Sequence, residues 1–284
     1  SVIDGLYSNL EEDQGLRSIP AYTVWASQKG ADTFRRRLRK TLFVGMSDGS
    51  RIDVLRRVNA GRISQEQVVP MLNVDFEIWE DLAEKLEKHE GMQAGEKFDS
   101  VYLIDDFTAS GTTFIRYVDN KWKGKLKKFN DIVRGAADKL GNKFPIIENF
   151  DLHIHHYISS SQARSNLEKL MQDAEAWDKR TYGCWSVTEG LLLPRNLPLS
   201  SASDVDMMNI CKKYYDHQLY ERLRVHCEEN GQTTMAFGYA DCALPIVLEH
   251  NTPNNSIPLL WADTGGAPGV HAMHSLFHRR DRHG

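Results

Sequence analysis

A chain of 284 residues, 41% hydrophobic and 26% charged with a formal net charge of -4, is too apolar for global disorder and carries no overall field that would recruit nucleic acid. Its length allows one large domain or two small ones. Four scattered cysteines, Cys184, Cys211, Cys227 and Cys242, with no CxxC pair, argue against a zinc ribbon or a disulfide-dense scaffold and point to a reducing cytoplasm.

The opening SVIDGLYSNLEEDQG lacks the charged start and apolar middle of a signal peptide, and no run of about 18 apolar residues follows, so membrane insertion is not expected. The start at Ser1 rather than Met leaves room for a preceding segment. From Ala21 to Leu42, Val24, Trp25, Phe34 and Leu38 recur at helical spacing. The basic run RRRLRK within it reads as a solvated face, or as one that meets phosphate or nucleic acid. LFVG, Leu42 to Gly45, predicts a short strand, GMSDGS a loop and RIDVLRRVN a helix. Asp75 to Glu90 is an amphipathic helix pattern, and glycines 91 and 95 mark a linker into the strand Val101 to Ile104. The spacing then predicts a helix from Thr113 to about Val118, an exposed loop or flap at KWKGKLKKFND, a helix from Asn130 to Leu140, a strand from Leu152 to Ile158 and a helix from Gln162 to Trp177.

Strands alternating with helices imply an α/β fold with a largely parallel sheet flanked by helices. Past Thr181 the pattern changes to a Pro-containing loop, LLLPRNLPLSS, a helix from Asp204 to Glu228, a strand-like ALPIVLEH and a turn-rich tail. The expected organisation is a core over residues 1–180 and a C-terminal extension over 181–284 that completes or caps it, or one continuous domain.

The chemistry concentrates at VYLIDDFTASGTT, residues 101–113. An apolar strand ending in Asp105 and Asp106, then a loop almost without bulk, is the arrangement in which open α/β sheets bind ligands. Ala109 and Gly111 let backbone N–H groups approach, while Ser110, Thr112 and Thr113 add hydroxyls, together an anion cradle. Acceptor-only carboxylates beside such a cradle suit a ligand with hydroxyls next to its phosphate, or a divalent cation between them. The earlier loop, Gly45 to Arg51, supplies Ser47, Gly49, Ser50 and Arg51 as a second anion-binding turn. Asp48 there would face magnesium, or Arg51, Arg56 or Arg57. His153, His155 and His156 invite a metal reading, since His153 and His155 share a strand face, and against it stands ordinary hydrogen bonding.

The stretch VYLI, Asp105, Asp106, FTA, Ser110, Gly111, Thr112, Thr113 resembles the phosphoribosyl diphosphate (PRPP) motif of type I phosphoribosyltransferases. The resemblance implies that Asp105 and Asp106 form the catalytic pair, holding the ribose 2- and 3-hydroxyls and, through ligand or water, Mg2+. It implies that Thr108, Ala109, Ser110, Gly111, Thr112 and Thr113 wrap the 5-phosphate, and that Gly45, Ser47, Asp48, Gly49, Ser50 and Arg51 take the pyrophosphate. GMSDGSRIDVLRR with GRISQEQV, and HNTPNNSIPLLW followed by LFHRRDRH, make the chain similar to divergent phosphoribosyltransferase-like proteins of bacterial conflict and defence systems, some beside retrons. What that implies is a cytoplasmic anti-phage effector with an unidentified acceptor, a defence-system protein or nucleic acid as partner, and oligomerisation as an open option. The alternatives are a nucleotide sensor or defence-complex subunit without catalysis, and a nucleotide N-glycosidase. Asn251, Asn254 and Asn255 are the expected acceptor-pocket side chains.

Overall fold

The structure, a computed structural model, describes residues 28–71, 75–89, 91–265 and 271–277. The chain divides into two compact units. Among the described residues, the first takes residues up to 108, 112–159 and 167–192; the second takes 109–111, 160–166 and those from 193 onward.

The first unit opens with α1 (Gln28–Arg39) and β1 (Thr41–Gly45), then α2 (Ile52–Val58), β2 (Val68–Pro70) and α3 (Phe76–Glu87). β3 (Phe98–Thr108) follows, then a hairpin of β4 (Arg116–Val118) and β5 (Lys121–Lys123), α4 (Lys125–Leu140), β6 (Ile146–Ser159), α5 (Ser161–Asp173), of which residues from 167 belong to this unit, and β7 (Tyr182–Leu192). Five strands form one sheet in the order β2-β1-β3-β6-β7, every pair parallel. The α/β architecture read from the sequence is therefore present. β1 and the middle of β3 are buried on both faces, which is why LFVG and VYLI read as unbroken apolar runs rather than alternating ones.

Two apolar layers hold the sheet. One gathers Trp79, Leu82 and Leu86 of α3, Leu126, Phe129 and Val133 of α4, and Leu167 and Met171 of α5 against Val101, Leu103, Leu152 and Ile154. The other sets Phe34 and Leu38 of α1 and Ile52 and Leu55 of α2 against Phe43, Tyr102 and Ile104. α3 starts as its sequence predicts, with Asp75 accepting the Ile78 N–H as N-cap at 2.9 Å. The basic run of α1 is not simply a solvated face. Arg37 pairs with Asp151 at 2.6 Å, Arg39 is buried and pairs with Glu66 at 2.7 Å, and Lys40 pairs with Asp99 at 2.6 Å. Part of the predicted helix, with Val24 and Trp25, lies outside the described residues.

The segment after Thr113 departs from expectation. No helix forms at Thr113–Val118; the chain makes a hairpin whose central residues, Asp119 and Asn120, sit at φ 54° and 57°. That is the left-handed conformation of a two-residue hairpin turn, which Asp and Asn tolerate better than other non-glycine residues. Tyr117 and Trp122 pair across it with ring centroids 4.9 Å apart. The lysine-rich stretch expected to be a loop is thus β5, the turn at Gly124 and the first turns of α4.

The second unit carries α6 (Val205–Lys213) and α7 (Gln218–Glu228). The single helix expected from Asp204 to Glu228 is interrupted, and just before the second piece Asp216 accepts the Gln218 N–H at 2.9 Å. ALPIVLEH forms no strand. Pro245 lacks the N–H a ladder needs and Ala243 sits at φ 48°, so only isolated bridges at Leu244 and Leu248 remain. Of LFHRRDRH, residues 278–283 lie outside the described residues.

Three histidines of β6, His153, His155 and His156, are buried, and burial depresses each to about 4. In the unfolded chain they titrate near 6.5, so as pH falls the unfolded state takes up protons first. The stability they contribute is complete above about pH 6.5 and is lost as pH falls toward 4. Urea unfolding across this window should show a slope approaching three protons; a flat profile would mean the histidines are accessible in the native state.

Candidate functional site

In the observed strand order the winding reverses between β1 and β3, and open α/β sheets place their ligand crevice at the carboxyl ends of such a strand pair. Gly45 lies opposite Ile104, and the Met46 N–H donates to the Ile104 carbonyl at 2.9 Å, so the loop after β1 leaves the sheet beside Asp105. The two stretches singled out in the sequence, 58 residues apart, meet there: Ser47 Oγ donates to Asp105 Oδ1 at 2.6 Å.

Asp105 is 3% exposed. A buried carboxylate without partners would be neutralised, but Lys125 Nζ, from the first turn of α4, donates to its second oxygen. Burial alone would raise this carboxyl; the Lys125 ammonium and the two hydrogen bonds outweigh that and hold it below the ordinary carboxylate value. His156 lies opposite Asp105 on β6 and Glu189 opposite His156 on β7, which sets the three side by side across the sheet. Phe114 meets the His156 ring edge-on at 5.6 Å. Burial, and secondarily Lys125 and His155, keep His156 neutral despite Asp105.

β3 runs on through Asp105 and Asp106 to Thr108, so the two carboxylates sit on opposite faces of one strand rather than in a loop. Asp105 shares its face with Val101 and Leu103. Asp106 is half-buried and shares its face with Tyr102 and Ile104.

In the loop after β1, a Cβ on Gly45 would stand 2.7 Å from Ser50 Oγ and 3.0 Å from Ile52 Cβ, so a larger residue would have to displace Ser50. Ser50 is buried and its hydroxyl has no hydrogen-bond partner among the described residues. Asp48, Gly49 and Ser50 make a single 3-10 turn. Arg51 follows in the left-handed region at φ 49°, an unusual state for a side chain of its size. Asp48 is exposed; of the arginines it was matched with, Arg56 donates to the Val68 carbonyl and Arg57 to Asp53.

Of the second loop, Thr108 is buried opposite Ser159, Thr112 is half-buried and Thr113 exposed. Ala109, Ser110 and Gly111 belong to the second unit. There the Ala109 carbonyl accepts from Ser160 Oγ and the Ser110 carbonyl from Asn166 Nδ2 at 2.8 Å. Gly111 is at φ 77°, and a Cβ on it would fall 2.7 Å from the Ala163 carbonyl oxygen. The helix expected directly after Thr113 is replaced by the hairpin, yet α4 returns to the same place. The Lys125 N–H reaches the Thr113 carbonyl at 3.4 Å and the Leu126 N–H the Phe114 carbonyl at 3.0 Å.

His153 and His155 hydrogen-bond through Nδ1 to Ser186 and Thr188 at 2.7 and 2.9 Å. In the second unit, the Asn254 carbonyl and the Asn255 amide hold the backbone of Tyr239. Asn251 Oδ1 and the Thr252 hydroxyl are buried without partner among the described residues. Lys125 and Tyr157 escaped the reading of the sequence, and His156 was noticed only as a metal candidate. Lys125 is hidden in a lysine-rich run, and the places of His156 and Tyr157 become visible only once β6 is registered against β3.

The ion pair at Asp105 makes a quantitative claim. Lys125→Met leaves a buried carboxylate with one neutral donor and should cost about 1–3 kcal/mol, less than a fully buried pair because the ammonium is 25% exposed. Adding Asp105→Asn should recover most of that loss in urea unfolding. Additive losses would show that the two side chains do not interact.

The family model PRTase-CE, of phosphoribosyltransferase-like proteins, matches residues 6–279. No curated protein and no solved structure matches the chain.

Proposed function

We propose, from the premise that the chain belongs to the PRTase-CE family, that it binds PRPP or a related ribose phosphate with magnesium and transfers the phosphoribosyl group to an acceptor. The observation that best supports this reading is the Ser47–Asp105 hydrogen bond at the carboxyl ends of β1 and β3. It joins a turn suited to one anion to a strand end whose acidic residues suit sugar hydroxyls.

In that reading the pyrophosphate takes the Gly45–Arg51 loop, where the Ser50 hydroxyl has no hydrogen-bond partner among the described residues. The 5-phosphate takes the segment from Thr108 to Thr113. The bond between ribose C1 and a pyrophosphate oxygen breaks with its electron pair on the pyrophosphate; the acceptor forms the new bond to C1 and gives up a proton. Positioning and stabilisation of the leaving charge supply the catalysis.

Among the described residues no group of three or more His, Cys, Asp or Glu side chains is placed to cage a metal. The donor set still fits magnesium in its usual form, carried on ligand oxygens with one or two carboxylates and retained waters. Bound magnesium would share the pyrophosphate's charge. The likeness of GMSDGSRIDVLRR, GRISQEQV and HNTPNNSIPLLW to retron-associated defence proteins extends the proposal to an anti-phage effector acting in the cytoplasm. No helix among the described residues is long and apolar enough to cross a membrane.

Calorimetric titration of PRPP with magnesium into the wild-type chain should show saturable binding. Asp106→Asn, folded by circular dichroism, should weaken it about tenfold or more, the scale of a charged hydrogen bond lost from a ligand hydroxyl. Absence of binding by folded wild type would overturn the PRPP reading. Binding without pyrophosphate release would favour a sensor, and release of base from a nucleotide without PRPP would favour an N-glycosidase.

A further inference from the structure

Tyr157 sits near the end of β6, two residues short of its last, and its ring packs at the edge of the layer formed by Phe34, Phe43, Tyr102 and Ile104. His155 meets it edge-on, with ring centroids 5.9 Å apart. Apolar packing on one side and strand pairing on the other fix where the hydroxyl points. That hydroxyl is buried, and it has no hydrogen-bond partner among the described residues.

A buried phenol usually finds a partner, since an unmade bond costs the full desolvation of the group. The register of β3 against β6 sets Asp105 beside His156 and Phe107 beside Ile158, so Asp106 and Tyr157 are neighbours between those pairs. After burial, which dominates, the groups that act on the phenol are Asp53 and Asp106, then Arg51, then Asp105. Burial, joined by the three carboxylates and opposed by Arg51, pushes the phenol up to about 12, so it is protonated and acts as a donor at physiological pH. Asp106 belongs to the end of β3 and Arg51 to the loop after β1, while Tyr157 comes from β6.

We infer that Tyr157 is a specificity-determining residue of the candidate site, donating its hydroxyl hydrogen to a sugar hydroxyl that in turn donates to Asp106. The inference rests on the ribose-phosphate reading above and adds the group that reads the sugar. Complementarity decides the ligand chemistry. Asp106 can only accept and the protonated phenol here donates, so the group that satisfies both is one that accepts and donates at once, a hydroxyl. A phosphate oxygen would satisfy the phenol but be repelled by Asp106 and Asp53. A metal ion would suit the carboxylates but leave the phenol's proton facing a cation. A site built around a ligand hydroxyl strongly rejects the analogue that lacks it, because the protein groups are then left unpaired.

The test uses the full chain and three ligands: ribose 5-phosphate, 2-deoxyribose 5-phosphate and 3-deoxyribose 5-phosphate, titrated into wild type and Tyr157→Phe, with thermal melts of both proteins. Wild type should prefer ribose 5-phosphate over one of the two deoxy sugars by about tenfold or more, and Tyr157→Phe should shrink that preference to about threefold or less. Tyr157→Phe should melt no lower than wild type, because the hydroxyl it removes has no partner in the protein alone. A preference that survives in Tyr157→Phe, or a lowered melting temperature, would overturn the inference. Ribose 5-phosphate binding with no discrimination in wild type would remove the role of Tyr157 while leaving the ribose-phosphate reading intact. No binding of ribose 5-phosphate or PRPP by wild type would overturn both.

Discussion

A carboxylate at the buried end of a central strand has to be neutralised, and the way Asp105 achieves this organises the first unit around it. Its two oxygens draw in Ser47 from the loop after β1 and Lys125 from the start of α4. One bond fixes the glycine-bearing turn against the strand end; the other fixes the first turn of a helix that has already been delayed by a hairpin. Without the ammonium the carboxylate would favour its protonated form, and an acceptor at this point of the sheet would become a donor.

The hairpin explains how a helix can start late and still arrive in place. Its excursion leaves Phe114 and returns at Gly124, whose φ of 109° and lack of a side chain allow the chain to pass against the Phe114 carbonyl. A Cβ at Gly124 would stand 2.5 Å from that oxygen. Trp122 anchors the hairpin further, with its ring 6.0 Å from Trp177. The tether is therefore built from packing, and Lys125 is delivered to Asp105 by a turn that only glycine can make.

Much of this was legible in the residues themselves. Buried parallel strands are apolar on both faces, so LFVG and VYLI announced β1 and β3, and the 3.6-residue period with Asp75 announced α3. The glycines of the two loops marked close backbone approaches, and Gly45 and Gly111 prove to be positions where a Cβ would collide. The hairpin was illegible because RYVDNKWK carries no glycine or proline, and its turn relies on Asp119 and Asn120 entering the left-handed region together. Lys125 and Tyr157, and the place of His156 beside Asp105, were illegible for a different reason: they arise from strand register and from a helix returning to its loop, and nothing local in a lysine-rich run or a histidine cluster encodes that.

The central claim is that the ends of β1 and β3 form one ribose-phosphate site, with the pyrophosphate and the 5-phosphate held at separate points. Phosphorus NMR of PRPP and magnesium, recorded with and without the protein, addresses it most directly, since the 5-phosphate and the two pyrophosphate phosphorus atoms give distinct signals. The account predicts that all three shift or broaden on addition of wild-type protein and return to their free positions with the Gly45→Val variant, once that variant is shown to be folded. Free-ligand positions for all three signals at excess folded wild-type protein would contradict it.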